Sequence, residues 1–202
     1  MSNQIHIMGP VGVGKSSLSH LLSVREGITL FPEPVEDNPY LALFYEDPEK
    51  YAFQLQIFML HRRFIQTQEA QNLDVSIMDM SMIGNDLFAE LMFMSGSMSK
   101  TDYELYSNVS TSLKSLVEPP ELMVYLQCSI PEAIRRIMRR GRPSELKAPL
   151  QYWYDLNHSY EKWYNAYSFS KKICINVDNL DFVNDEEDED YVLDMIMEEL
   201  QK

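Results

Sequence analysis

Apolar residues run along this chain in two rhythms. Five short runs, at residues 5–8, 28–31, 75–78, 122–128 and 173–177, end at glycine, proline, acid or loop residues and predict strands. Between them, apolar positions spaced by three and four predict helices over 17–24, 41–45, 48–71, 83–94, 101–117, from 131 onward, 150–167 and 191–200. Pro48 and Pro131 suit the first turn of a helix, where no N–H is needed. The helix over 101–117 is polar enough to lie on the outside. The one over 150–167 is dense in aromatics (Tyr152, Trp153, Tyr154, Trp163, Tyr164), which points to core and interface. Strands alternating with helices predict an α/β chain: a doubly wound, five-stranded parallel sheet with helices on both faces and ligands at the carboxyl ends of the strands. No repeat or linker interrupts the pattern. A six-residue acid run, 185–190, reads as a solvated loop.

Composition narrows the classes. At 202 residues the chain is one domain, 1–202, large enough to bury a core without staples. Cys128 and Cys174 lie in strand-like runs without metal-ligand spacing, so they read as core residues of a reducing compartment, with no disulfide. No basic leader, apolar signal region or 18-residue apolar span is present, and the expectation is a cytoplasmic protein that does not engage a membrane. A net charge of −14 would repel a nucleic acid polymer. Small phosphorylated ligands in a local basic pocket remain compatible with it.

The first strand runs into Gly9, and IHIMGPVGVGKSS fits the phosphate-loop spacing G-x-x-x-x-G-K-S between a predicted strand and a predicted helix. Gly9, Gly12 and Gly14 let backbone N–H groups approach anionic oxygens that a Cβ would obstruct. Lys15 can reach the outer phosphates and the Ser16 hydroxyl can sit on Mg²⁺, while the helix start lends its positive dipole end. Glu33, between Pro32 and Pro34, stands at the end of the second strand, where open α/β sheets hold ligands, or is a solvated loop acid. Gln56 and Arg63 lie two turns apart on one face of the long helix, serving either a ligand or bonds within the protein. Asp79 closes the third strand, a position from which a carboxylate reaches Mg²⁺. RRIMRRGRPSE then puts Arg135, Arg136, Arg139, Arg140 and Arg142 within eight positions, an anion site placed as a mobile loop would be, or a basic face balancing nearby acids.

Taken in order, GPVGVGKSS, EPVEDNPYL, Gln56 with Arg63, Asp79 closing a strand, and RRGRPSE resemble the deoxyribonucleoside kinases, specifically the bacterial deoxyadenosine and deoxyguanosine type. The resemblance covers nearly the whole chain. It implies a three-layer P-loop kinase fold and transfer of the γ-phosphoryl group of ATP, with Mg²⁺, to the 5′-hydroxyl of a deoxynucleoside, purine preferred. It further implies Glu33 as general base. Gly9, Gly12, Val13, Gly14, Lys15, Ser16 and Ser17 would hold the ATP phosphates, with Asp181 and Phe182 at its adenine, and Ser16 and Asp79 would hold the metal. Arg140 and Arg142 would neutralise the transferred phosphoryl group from a lid over about 139–149. Tyr45 and Glu145 would hold the sugar 3′-hydroxyl, Gln56 and Arg63 would read the base, and Phe88 would stack on it. A homodimer joined through helices is implied as well.

Two positions depart from the family pattern. Met80 stands where the family has an arginine that bonds the catalytic acid and the 5′-hydroxyl, so Arg136 or Arg63 substitutes, or catalysis is weakened. Asn85 and Asp86 stand where the family has an aspartate facing the base, so both are candidates for binding the substrate; Asn85 in that place would add an N–H donor that a carboxylate lacks. Two other readings stay open: a nucleoside monophosphate kinase, which would need a cation near Glu33 where no arginine precedes it, and a nucleotide-binding or structural member weakened by Met80.

Overall fold

The five apolar runs pair into one parallel sheet in the order β2-β3-β1-β4-β5, with β1 at Gln4–Met8, β2 at Thr29–Phe31, β3 at Ser76–Asp79, β4 at Leu122–Gln127 and β5 at Lys171–Asn176. The computed structural model describes residues 3–35, 38–146 and 148–202. Glu36 and Asp37 of EPVEDNPYL, and Lys147 of the expected lid, lie outside the described residues. Helices α1 (Lys15–Glu26), α2 (Leu41–Glu46), α3 (Pro48–Ala70), α4 (Met82–Met94), α5 (Lys100–Lys114), α6 (Ile130–Arg140), α7 (Pro143–Leu146), α8 (Leu150–Ala166) and α9 (Glu186–Gln201) connect or follow the strands.

Side chains alternate across the strands and so build two cores. Ile5, Ile7, Val124, Leu126 and Ile175 point to one face, where Leu18 and Leu22 of α1 and Val192 and Ile196 of α9 close over them. Met8, Met123 and Tyr125 point to the other, against Leu87 and Leu91 of α4 and Trp153, Leu156 and Tyr160 of α8. A third cluster joins α3, α4 and α5 through Leu60, Met92 and Tyr106. The result is the three-layer P-loop kinase arrangement. Among the aromatics of α8, Trp153 and Tyr160 are buried and Tyr154 is exposed.

Register decides what the carboxyl edge of the sheet presents. Ile7 pairs with Asp79, so the turn into the phosphate loop lies next to the end of β3. Phe31 pairs with Met78, which brings Glu33, two residues further on, level with Met80. The order β2-β3-β1 therefore sets Glu33, Asp79 and the phosphate loop side by side.

Two elements differ from their sequence reading. The acid run is not a loop: Glu186–Glu189 form the first turn of α9, capped by Asp185, whose carboxylate accepts from the N–H groups of Glu187 and Asp188 at 3.0 and 3.1 Å. Acids are favoured there by the positive end of the helix dipole, and Arg25 of α1 pairs with Glu189 and Asp190. A four-residue helix, α7, occupies the expected lid loop. Cys128 and Cys174 are free thiols, and burial pushes Cys128 up to about 11, which leaves it a poor nucleophile at neutral pH. Among the described residues no helix is long and apolar enough to cross a membrane.

One polar seam lies inside the second core. His6 Nε2 donates to Gln4 Oε1 at 2.8 Å, Gln4 Nε2 donates to the Thr67 carbonyl at 3.1 Å, and Thr67 Oγ1 donates to the Arg63 carbonyl at 2.8 Å. His6 Nδ1 has no partner, and burial beside Arg63 lowers the imidazole from its ordinary 6.5 to about 3. The unfolded chain thus takes up a proton that the folded chain refuses, so stability is full above pH 6.5 and falls as pH drops through the window down to 3. The expected slope for this one group approaches about 1.4 kcal/mol per pH unit. Denaturant unfolding at pH 7 and pH 5 should show His6→Gln losing less stability across that interval than the parent chain.

Candidate functional site

The loop after β1 turns on glycines that no other residue could replace. Gly14 caps α1 at φ +105°, and a Cβ there would stand 2.7 Å from the Phe182 ring. Lys15 Nζ donates to the Pro10 carbonyl at 2.9 Å and so curls back over the loop. Burial lowers the Lys15 ammonium from its ordinary range, while Asp79 and Glu33 pull it the other way, which places both carboxylates within electrostatic reach of it.

Asp79, Met80 and Ser81 make the strand-to-helix turn in three residues. Asp79 ends β3 and Ser81 caps α4, its Oγ accepting from Ile83 N–H at 3.2 Å. Met80 between them takes φ +71°, the one non-glycine residue at positive φ among the described residues, a conformation that costs about 1–2 kcal/mol. Ser16 Oγ donates to Asp79 Oδ2 at 2.5 Å. Burial pushes the Asp79 carboxyl up, and Lys15 and the Ser16 hydrogen bond hold it down. A half-buried hydroxyl–carboxylate pair of oxygen donors beside a phosphate cradle fits a hard divalent cation that also binds phosphate oxygens. Among the described residues no cluster of three or more His, Cys, Asp or Glu could hold a metal without such a ligand.

One cleft of about 1890 Å³ runs over this edge. It is lined by Gly12, Gly14, Lys15, Ser16 and Ser17 of the loop, by Glu33, Asp79, Tyr45, Gln56, Asn85 and Phe88, and by Arg140, Arg142, Glu145, Asp181 and Phe182. Sixteen of the twenty expected site residues therefore meet in a single cavity. Gly9 and Val13 are buried beneath the loop and contribute backbone. Arg63 and Asp86 stand apart from the lining.

Arg63 is fully buried. Its Nη2 donates to Glu33 Oε1 at 3.1 Å, and its Nη1 donates to the carbonyls of Asp79 and Met80 at 2.8 and 2.6 Å. A cation does sit beside Glu33, then, supplied by α3 rather than by the residues preceding Glu33. Arg136, the other candidate, is held elsewhere: it donates to the carbonyls of Val13, Val177 and Leu180 and to Glu132, bracing the loop that carries Asp181 and Phe182. Asp86 faces α5, accepting from Ser110 at 2.6 Å, Lys114 at 2.5 Å and Tyr106 at 3.2 Å. Asn85 Nδ2 lies 3.4 Å from Gln56 Oε1. In the lid, Arg140 donates twice to Glu145, at 2.7 and 3.2 Å, with Arg142 at 3.5 Å. Met59, Met92 and Tyr152 line the cleft unforeseen; on a helix face such residues cannot be told from core by spacing.

The deoxynucleoside kinase family model matches residues 5–201. A deoxyguanosine kinase of Lactobacillus acidophilus is 38% identical over 98% of this chain and 91% of its own, and a deoxyadenosine kinase of the same organism is 33% identical over 100% and 98%. The fold superposes on a deoxyadenosine kinase from M. mycoides with bound dATP at a TM-score of 0.82 and 33% identity, covering 98% of this chain and 99% of that one.

The placement of Asp86 has a measurable consequence. Asp86→Ala should destabilise the protein by about 1–3 kcal/mol in denaturant unfolding, because it strips partners from a buried tyrosine and serine. The KM for a deoxynucleoside should stay within about twofold, a result a base-contacting carboxylate would not give.

Proposed function

This chain belongs to the deoxynucleoside kinase family, and we propose that it carries out the family's ATP-dependent phosphorylation of a deoxynucleoside, purine preferred, through Glu33 as general base on the 5′-hydroxyl. The carrying observation is that the Glu33 carboxylate and the phosphate loop open into the same cleft, with Lys15, Ser16 and Asp79 between them. A nucleoside laid with its base toward Gln56, Asn85 and Phe88 presents its sugar to Glu33 and its 5′-hydroxyl toward the phosphate end. Glu33 must reach that proton within hydrogen-bond distance, and its position level with Met80 supports this.

Backbone N–H groups from Gly12 to Ser17 and the Lys15 ammonium would hold the ATP phosphates. Ser16 and Asp79 would hold Mg²⁺, which when bound neutralises phosphate charge during transfer. Arg140 and Arg142, now on Glu145, would exchange that carboxylate for phosphoryl oxygens, leaving Glu145 with Tyr45 for the sugar 3′-hydroxyl. Exposed arginine–carboxylate pairs contribute little to stability, so the exchange is inexpensive. The reading extends to a cytoplasmic homodimer acting on free nucleosides; exposed Leu105 on α5 and Ile65 on α3 support a helix-mediated interface, and the acidic surface opposes a polymeric substrate.

The test is ATP-dependent phosphorylation of the four deoxynucleosides, with deoxyguanosine or deoxyadenosine expected as the best substrate. Glu33→Gln should lower kcat by about two to four orders of magnitude, the range for loss of a general base. A loss below tenfold would confine Glu33 to substrate positioning.

A further inference from the structure

Met80, between Asp79 and the Ser81 cap, is held on both its side chain and its main chain. Met80 Sδ accepts from the Tyr160 hydroxyl at 3.4 Å, and Gly84 lies so close that any Cβ there would strike the Met80 side chain. The positive φ of Met80 leaves its carbonyl, with that of Asp79, facing α3, where Arg63 Nη1 takes both. Nη2 is left for Glu33. The backbone carrying Arg63 is itself pinned to β1 through Thr67 and Gln4.

The cost falls on the base end of the cleft. Arg63 has no exposed surface and does not reach the lining, although Gln56, two turns earlier on the same helix, does. What faces Gln56 is Asn85, whose Oδ1 is buried without a partner in the protein. The nearest acid on α4, Asp86, is committed to Lys114, Ser110 and Tyr106. Two neutral carboxamides are left to meet the base edge, with Arg63 and Asp86 both committed to other partners.

We propose that Arg63 is a positioning residue for Glu33, and that Gln56 and Asn85 alone read the base edge by hydrogen bonding. The inference rests on the reading of Glu33 as general base. A guanidinium anchored on two main-chain carbonyls holds the carboxylate in place and aims it at the cleft. The carboxamide pair offers one acceptor, Asn85 Oδ1, next to donors on both side chains, which suits a purine edge that presents a donor beside an acceptor: N1–H with O6, or the exocyclic amine with N1.

The experiment compares Arg63→Gln, Arg63→Lys, Asn85→Asp and Glu33→Gln with the parent chain on deoxyguanosine, deoxyadenosine and deoxycytidine. Arg63→Gln should lower kcat by about 100-fold, on the scale of a disabled general base. The deoxynucleoside KM should change far less than kcat, and Arg63→Lys, which keeps the cation, should recover part of the lost kcat. The ratio of kcat/KM between deoxyguanosine and deoxyadenosine should hold within about twofold in Arg63→Gln and change by about tenfold or more in Asn85→Asp. A changed base ratio with kcat retained in Arg63→Gln would overturn the proposal, and so would an Arg63→Gln enzyme indistinguishable from the parent. If Glu33→Gln keeps the parent kcat, the general-base reading is what fails. Where the Arg63 variants do not fold, a structure of the parent chain with deoxyguanosine decides: Arg63 on Glu33 supports the proposal, and a guanidinium nitrogen within about 3.5 Å of the base overturns it.

Discussion

A single buried guanidinium ties this cleft together. Arg63 bonds the carbonyls at the end of β3 and the carboxylate that follows β2, so two strand ends and the long helix α3 meet at one side chain. Removing the carboxylate would leave a fully buried cation resting on main-chain carbonyls alone, a costly arrangement. The same bonds stabilise Met80 in a backbone conformation that methionine would otherwise avoid. From Met80 the chain turns directly into the Ser81 cap of α4, and α4 carries Asn85 and Phe88 to the cleft.

Charge is distributed unevenly over the chain. The chain is strongly acidic overall, yet the cleft gathers Lys15 and the arginines of α6 and the lid where phosphate would lie. Those cations differ in how firmly they are held. Arg136 is spent on three main-chain carbonyls and Glu132, which makes it part of the scaffold under the loop at 178–182. Arg140 and Arg142 lean on Glu145 at the surface, in pairs that solvent screens and a phosphate could replace. Scaffold arginine and exchangeable arginine thus lie within one turn of each other on the same helix.

Much of the fold was legible because parallel α/β packing leaves a strong trace. All five strands and the long helices lie where the apolar rhythm put them, within a few residues at their ends. The phosphate loop was legible because its glycines answer to local geometry. The acid run was misread: acids in sequence look like solvated coil, and only the Asp185 cap and the N–H groups beyond it make them a helix start. The direction Asp86 takes was illegible for a related reason. A carboxylate on α4 beside Asn85 has two faces to choose between, and the choice belongs to Tyr106, Ser110 and Lys114, 20, 24 and 28 residues away.

Sequence alone determined the alternation of strand and helix, the anion-binding loop and the presence of Glu33, Gln56, Arg63 and Asp79, because each follows from local periodicity or from a motif whose spacing is chemical. Strand order and register decided that Glu33 lies level with Met80 and beside Asp79, and with that which arginine the carboxylate meets. The physical reason is that a hydrogen bond from α3 to the ends of β2 and β3 spans about thirty and sixteen residues of chain, distances over which spacing carries no record of direction. Only the packed structure fixes where a buried guanidinium spends its donors.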